Sequence, residues 1–220
     1  MRRFTLVHAF VMLVATAIAW RLADARIVAV VGVGFLVGLA WTYAGRHAPS
    51  GRFGAANAIT TLRLVLIVVL SALAGIGPFA ALLVVAFIAL DALDGWVARR
   101  PPATASEFGE RFDMETDALF VLTFGLKLVE VGRLGAWMIL PGVLRYAYAA
   151  GITIAPRLTE APRSNLARII AGTMMTSFAV SAWPLEPVFR PFAAVASALV
   201  AFSFARSLMQ STAPTTSRDI

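Results

Sequence analysis

Apolar runs long enough to cross a bilayer fill almost all of this chain, and that property limits what it can fold into. A transmembrane helix needs about 20 predominantly apolar residues. Stretches of that length recur from Phe4 to Met209, with only short polar breaks between them. Of the 220 residues, 60% are hydrophobic, and the mean hydropathy is +0.81. No room is left for a separate soluble domain. The expected fold class is therefore all-α, a polytopic transmembrane helical bundle.

The runs divide into eight spans, at about Phe4–Trp20, Ile27–Tyr43, Ala58–Ala74, Phe79–Val97, Asp113–Val131, Gly135–Ala155, Leu166–Trp183 and Val188–Met209. The breaks carry the glycine and proline expected of helix ends, as in Gly75-Ile76-Gly77-Pro78 and Arg100-Pro101-Pro102. A polar segment, Gly45 to Gly54, follows the second span. The polar tail, 210–220, is expected to be disordered.

The net charge of +7 is almost all arginine. In so apolar a chain it reads as positive-inside loops and sites for anionic headgroups, and nucleic acid is not an expected partner. With the N-terminus in the cytoplasm, the inside collects eleven arginines, including Arg2, Arg3, Arg46, Arg52, Arg157 and Arg163. The outside receives five cations, Arg21, Arg26, Lys127, Arg133 and Arg190. Both termini are thus expected in the cytoplasm, with the protein multi-pass in the cell (inner) membrane. The first run also has the outline of a signal peptide, with Arg2-Arg3 ahead of an apolar stretch ending Ala17-Ile18-Ala19. Trp20 as an interfacial anchor, with a second span directly after, favours a membrane helix. Without cysteine, the chain has no disulfides and no thiolate metal ligands.

Against this background stand four aspartates. They occur as Asp91-x-x-Asp94-Gly95-x-x-Ala98-Arg99 and Gly109-x-x-x-Asp113-x-x-x-Asp117, and seven of the twelve acidic residues lie between Asp91 and Asp117. A carboxylate near bilayer depth costs roughly 2.5–3.5 kcal/mol, so such groups pair, line a wet cavity or bind a cation. Residues three or four apart share a helix face. Each pair therefore points one way, and consecutive antiparallel helices bring the pairs together. Four carboxylates with no His or Cys nearby suit a hard divalent cation, Mg²⁺ or Mn²⁺. Their charge is enough for two ions, which in two-metal sites clamp a phosphoryl group. Gly95, Ala98 and Gly109 keep bulk away from the carboxylates, and Arg99 is placed to contact a phosphate. The competing structural reading is an ion network in which the aspartates pair with Arg63, Arg99 or Arg111.

The pattern resembles the signature of the CDP-alcohol phosphotransferases (CDP-alcohol phosphatidyltransferases), and every specified residue is present. The loop from Arg100 to Phe108 is one residue longer than the family's usual spacing. Asn57-x-x-Thr60-x-x-Arg63 is similar to a motif opening the family's first core helix. The resemblance divides the chain into two leading helices with a polar linker (1–54), a six-helix core (55–209) and a tail. It implies transfer of a substituted phosphate from a CDP-linked alcohol to a second alcohol, with release of CMP. By resemblance Asp91, Asp94, Asp113 and Asp117 hold the metals, and Asp117 is also the general base. Asn57, Thr60, Arg63, Gly95, Ala98, Arg99 and Gly109 match positions around the cytidine and diphosphate. The donor expected is CDP-diacylglycerol and the acceptor a small polar alcohol or alcohol phosphate. The resemblance also implies a homodimer.

Arg145, an intramembrane cation, is read as a contact to substrate phosphate or to the aspartates; the alternative is a structurally paired arginine. Arg163 and Arg168 belong to a basic group in the region where family members that use a phosphorylated acceptor bind it. Here the segment reads Pro162-Arg163-Ser164-Asn165-Leu166-Ala167-Arg168, which departs from the usual basic, threonine-containing pattern and leaves the acceptor open. His8 reads as span filler and His47 as a loop residue. Rival readings are a family member with a soluble CDP-alcohol donor and lipid acceptor, an intramembrane prenyltransferase, a non-catalytic scaffold and a carboxylate-coupled transporter. In prenyltransferases the acidic motifs lie far apart in sequence, a scaffold would have lost an aspartate, and a transporter needs access from both sides.

Overall fold

The computed structural model describes residues 2–47, 53–98, 106–155, 164–183, 185 and 188–212. These form eight α-helices and no strand. The helices are α1 (Arg2–Leu22), α2 (Arg26–His47), α3 (Ala55–Ala72), α4 (Pro78–Ala98), α5 (Glu107–Glu130), α6 (Leu140–Ile154), α7 (Asn165–Ala182) and α8 (Phe189–Thr212). Five of them, α1, α2, α3, α4 and α8, are long and apolar enough to cross a membrane. The chain is a multi-pass membrane protein.

Several boundaries differ from those read off the sequence. α5 begins at Glu107, well ahead of the expected Asp113, because Ser106 caps it: the Gly109 N–H donates to Ser106 Oγ at 3.0 Å. Glu107 and Glu110 in its first turn suit the positive end of the helix dipole. Gly135–Ala155 is not one helix. A 3-10 turn (Ala136–Ile139) precedes α6, and Pro141, which cannot donate to a preceding turn, sits in the first turn of α6. α2 runs through His47, and α8 runs to Thr212, so the first residues of the expected tail are helical. The rest of the tail lies outside the described residues.

α5 is the axis of the bundle. It packs against α2, α3, α6 and α7, and most of its residues are buried, including Glu115, Thr116, Thr123 and Lys127. A helix enclosed on all sides meets protein instead of lipid and can carry polar groups that a lipid-facing helix cannot. Its packing is close. A Cβ on Gly32 of α2 would sit 2.3 Å from Leu119 Cδ1, and one on Gly142 of α6 would sit 2.7 Å from the Leu122 backbone. Phe120 stacks on Phe87 of α4 at 3.9 Å and meets Phe178 of α7 edge-on at 5.5 Å. α1 lies along α6 and α2 along α5, so the leading pair forms part of the same bundle.

Candidate active site

The site is built from one face of each of three helices. On α3, Asn57, Thr60 and Arg63 recur at every third residue and are all buried. On α4, Asp91 and Asp94 follow the same spacing, and on α5, Asp113 and Asp117 are four apart. Arg63 stands where these faces meet. Its Nη1 donates to Asp94 Oδ2 at 3.1 Å and to Asp113 Oδ1 at 2.5 Å. Its Nη2 donates to Asp117 Oδ1 and lies 3.0 Å from Asp91 Oδ1. Beneath the guanidinium is the Phe87 ring, 4.4 Å from Cζ to centroid, an attractive cation–π arrangement. Thr60 Oγ1 lies 3.2 Å from Asp94 Oδ2 and 3.1 Å from Ala56 O.

Exposure is graded across the four carboxylates. The Asp94 side chain is 6% exposed, while those of Asp117, Asp113 and Asp91 are 35%, 36% and 45% exposed. The cluster therefore has a closed floor and an open mouth. Oxygens of Asp91, Asp94 and Asp113 all lie within 4.8 Å of one another. Three hard oxygen donors at that spacing fit Mg²⁺ or Mn²⁺. Asp117 stands outside this trio and is tied to it through Arg63. Four carboxylates share one guanidinium, so the cluster retains capacity for further positive charge. The ion network expected as the competing reading does exist here, through Arg63. It does not use up the carboxylates.

Gly109 lies beside this face for a steric reason: a Cβ there would sit 3.0 Å from Asn57 Oδ1 and 3.2 Å from Ser106 Oγ. The Asn57 amide in turn donates to the Phe53 carbonyl. Phe53, Phe108 and Phe112 pack together around the adjoining start of α5. Gly95 is half-buried next to Asp94, and Ala98 is the last residue of α4. Arg99 and Arg163 lie outside the described residues. Arg168 is exposed on the first turn of α7, where Ser164 caps the helix by accepting from the Ala167 N–H at 3.1 Å. The described residues give Arg168 no ion pair with the aspartates.

Arg145 is not joined to the aspartate cluster. Its Nη2 lies 3.5 Å from Glu115 Oε1. His8, expected to be span filler, is buried, with Nδ1 3.3 Å from Glu115 Oε2. That expectation is corrected: a carboxylate only 5% exposed at mid-helix needs cationic or donor partners, and α1 and α6 each supply one. The signal was present in the sequence. Residue 115 falls two positions from both Asp113 and Asp117, hence on the opposite side of α5, where it requires partners of its own.

A family model for CDP-alcohol phosphatidyltransferases matches residues 53–209. No curated protein and no solved structure gives a match. The matched stretch holds α3 to α7 and nearly all of α8, with every residue of the Arg63–aspartate cluster. The chain belongs to the CDP-alcohol phosphatidyltransferase family, a family of phosphotransferase enzymes.

Proposed function

We propose that this protein is an integral membrane phosphatidyltransferase. It moves the phosphatidyl group of CDP-diacylglycerol to a small polar alcohol or alcohol phosphate and releases CMP. The observation that carries this reading is the convergence of Asp91, Asp94 and Asp113 from two helices, with Asp117 and Arg63 beside them. All eight helices are assigned to the membrane, with the cluster and both termini on the cytoplasmic side of the cell membrane. There the site meets a lipid tail on one flank and a water-soluble alcohol on the other.

Asp91, Asp94, Asp113 and Asp117 are the residues that would hold Mg²⁺ or Mn²⁺, two ions by charge. Bound divalent cations neutralise a diphosphate and make CMP a better leaving group. The residues of the chain do the rest. Asp117, open to the mouth of the site, accepts the proton of the incoming hydroxyl as its oxygen bonds to the lipid-bearing phosphorus. The bond from that phosphorus to the CMP oxygen breaks, and CMP leaves with the electron pair. Arg63 holds the carboxylates in register from the closed side. Asn57, Thr60, Gly95, Ala98, Arg99 and Gly109 are assigned to the cytidine and diphosphate, Arg163 and Arg168 to the acceptor side, and Arg145 to a substrate phosphate. A homodimer is the proposed assembly, on the family resemblance alone.

The test is CMP release by purified protein given CDP-diacylglycerol, Mg²⁺ or Mn²⁺, and a panel of glycerol 3-phosphate, serine, inositol and inositol phosphate. Acceptor-dependent CMP that disappears in Asp117→Asn is expected. Release with no acceptor on the panel, but with a soluble CDP-alcohol and a lipid acceptor, would transfer the reading to that branch of the family.

A further inference from the structure

The end of the bundle away from the aspartates carries positive charge that no described carboxylate balances. α3 runs from the aspartate cluster to Ala72, α4 returns to it from Pro78, and α5 leaves it for Glu130. The connections 73–77 and 131–139 therefore lie at the far end, about 20 Å along α5 from Asp117. Two adjoining cavities open there, of about 550 and 500 Å³, and Gly132, Arg133 and Arg190 line both. Together they form one cleft with two kinds of wall. Leu134, Trp137, Pro191 and Ala194 stand on one side, and Gly75 and Glu130 on the other.

The two arginines are held in this cleft without being neutralised. Arg133 Nε donates to the Ser181 carbonyl, and Nη2 donates to that of Trp183 at 2.5 Å. Its Cζ lies 4.3 Å from the centroid of the Phe189 ring. Carbonyls and a ring face fix a guanidinium in place and leave its charge uncompensated. Arg190, exposed in the first turn of α8, lies 5.7 Å from the same ring. Neither arginine forms an ion pair among the described residues. The carboxylate in the cleft wall is engaged elsewhere, because Glu130 Oε1 accepts from Lys127 Nζ at 2.6 Å and Oε2 from the Ala25 N–H at 2.8 Å. Two guanidiniums around one ring repel each other, and a phosphate bound to both offsets that cost through charge-assisted hydrogen bonds.

The surroundings select a lipid phosphate over a soluble one. Trp137 lines the cleft and Trp183 supplies a carbonyl to Arg133, and both side chains are partly exposed. Exposed tryptophans mark the headgroup level of a membrane protein. From Pro191 in the cleft wall, Val195, Leu199 and Phe202 follow at helical spacing along α8, all exposed. That stripe is an apolar track leading away from the charged cleft, the layout an amphiphile requires. We propose that the cleft at Arg133 and Arg190 binds the phosphate of an anionic phospholipid at the membrane face opposite the aspartate cluster, with its acyl chains along α8. The site is separate from the proposed transferase centre and does not depend on that reading. Its occupant touches the α3–α4 connection, the end of α5 and the start of α8, so binding should also stabilise the fold.

The experiment is native mass spectrometry of the purified full chain, released from detergent with equimolar dioleoyl phosphatidylglycerol and dioleoyl phosphatidylcholine. A chelator is present, so that the aspartates repel phosphate. Wild type should retain one phosphatidylglycerol in preference to phosphatidylcholine. Arg190→Gln removes an exposed charge that makes no described hydrogen bond, and should weaken that retention about five- to tenfold. Arg190→Lys should stay within about threefold of wild type. In thermal unfolding, phosphatidylglycerol should raise the melting temperature of wild type more than that of Arg190→Gln. Equal retention of the two lipids, or phosphatidylglycerol retention unchanged in Arg190→Gln, overturns the proposal. Displacement of the lipid by millimolar inorganic phosphate would assign the cleft to a soluble anion and overturn it too. So would a phosphatidylglycerol adduct that appears only in Glu186→Gln, since that acid, outside the described residues, would then already neutralise the arginines.

Discussion

Two charged centres lie on opposite sides of α5, and they balance charge in opposite ways. Around Arg63, four carboxylates share one fully buried cation, and three of the four are at least a third exposed. Around Glu115, one buried carboxylate has both His8 and Arg145 within 3.5 Å. The first centre has acidic groups to spare and an open mouth, as a cation site requires. The second is nearly closed and has donors to spare, which suits anchoring and one outward-facing guanidinium. A single helix carries both because Asp113 and Asp117 lie about half a turn away from Arg111 and Glu115.

The largest expected effect comes from breaking the first centre at its reactive oxygen. Asp117→Asn should lower CMP release by about 10²–10⁴-fold, the range for removal of a general base, with the protein still folded by circular dichroism. Next is Arg63→Gln, which leaves four carboxylates facing one another without their guanidinium. A loss of about 3–5 kcal/mol is expected, as for removal of one partner from a buried ion network. Added Mg²⁺ should recover more of the melting temperature in this variant than in wild type. An equal Mg²⁺ effect in both would show that the carboxylates do not act as a cation site.

The sequence made the first centre legible and left the second hidden, for a geometric reason. Asp91/Asp94 and Asp113/Asp117 announce their shared faces by spacing within a helix, and the short loop makes the two helices neighbours. Asn57, Thr60 and Arg63 are legible in the same way, although spacing did not show that Arg63 would touch all four aspartates. His8, Glu115 and Arg145 lie on three helices, and no local period says that α1 packs on α6 and α2 on α5. Their clue was one of charge: His8 and Arg145 are ionisable groups deep in an apolar chain with no acidic residue near them in sequence, and Glu115 has Arg111 one turn away on its own helix. The early start of α5 was missed because hydropathy marks where a helix becomes apolar, whereas Ser106 marks where it begins.

Smaller effects sharpen the contrast. Gly32→Val adds bulk against Leu119 beneath the second centre, and overpacking of about 1–3 kcal/mol is expected in thermal unfolding. Gly109→Ala crowds Asn57 beside the first centre and should raise the donor KM. The smallest change belongs to Arg26→Gln, which removes an exposed pair with Asp24 between α1 and α2 (2.7 Å, arginine side chain 64% exposed). It should leave both the melting temperature and turnover close to wild type. A large loss there would mean that the leading pair depends on its turn more than on its buried contacts with α5.

Manganese binding, followed by electron paramagnetic resonance across both centres, tests the division of roles most directly. Free Mn²⁺ should fall on titration with wild-type protein and with Glu115→Gln, and should stay near the protein-free level with Asp94→Asn and Asp113→Asn. Mn²⁺ binding that survives in both aspartate variants, or that disappears in Glu115→Gln alone, would contradict the assignment of the cation site to the Arg63 side of α5.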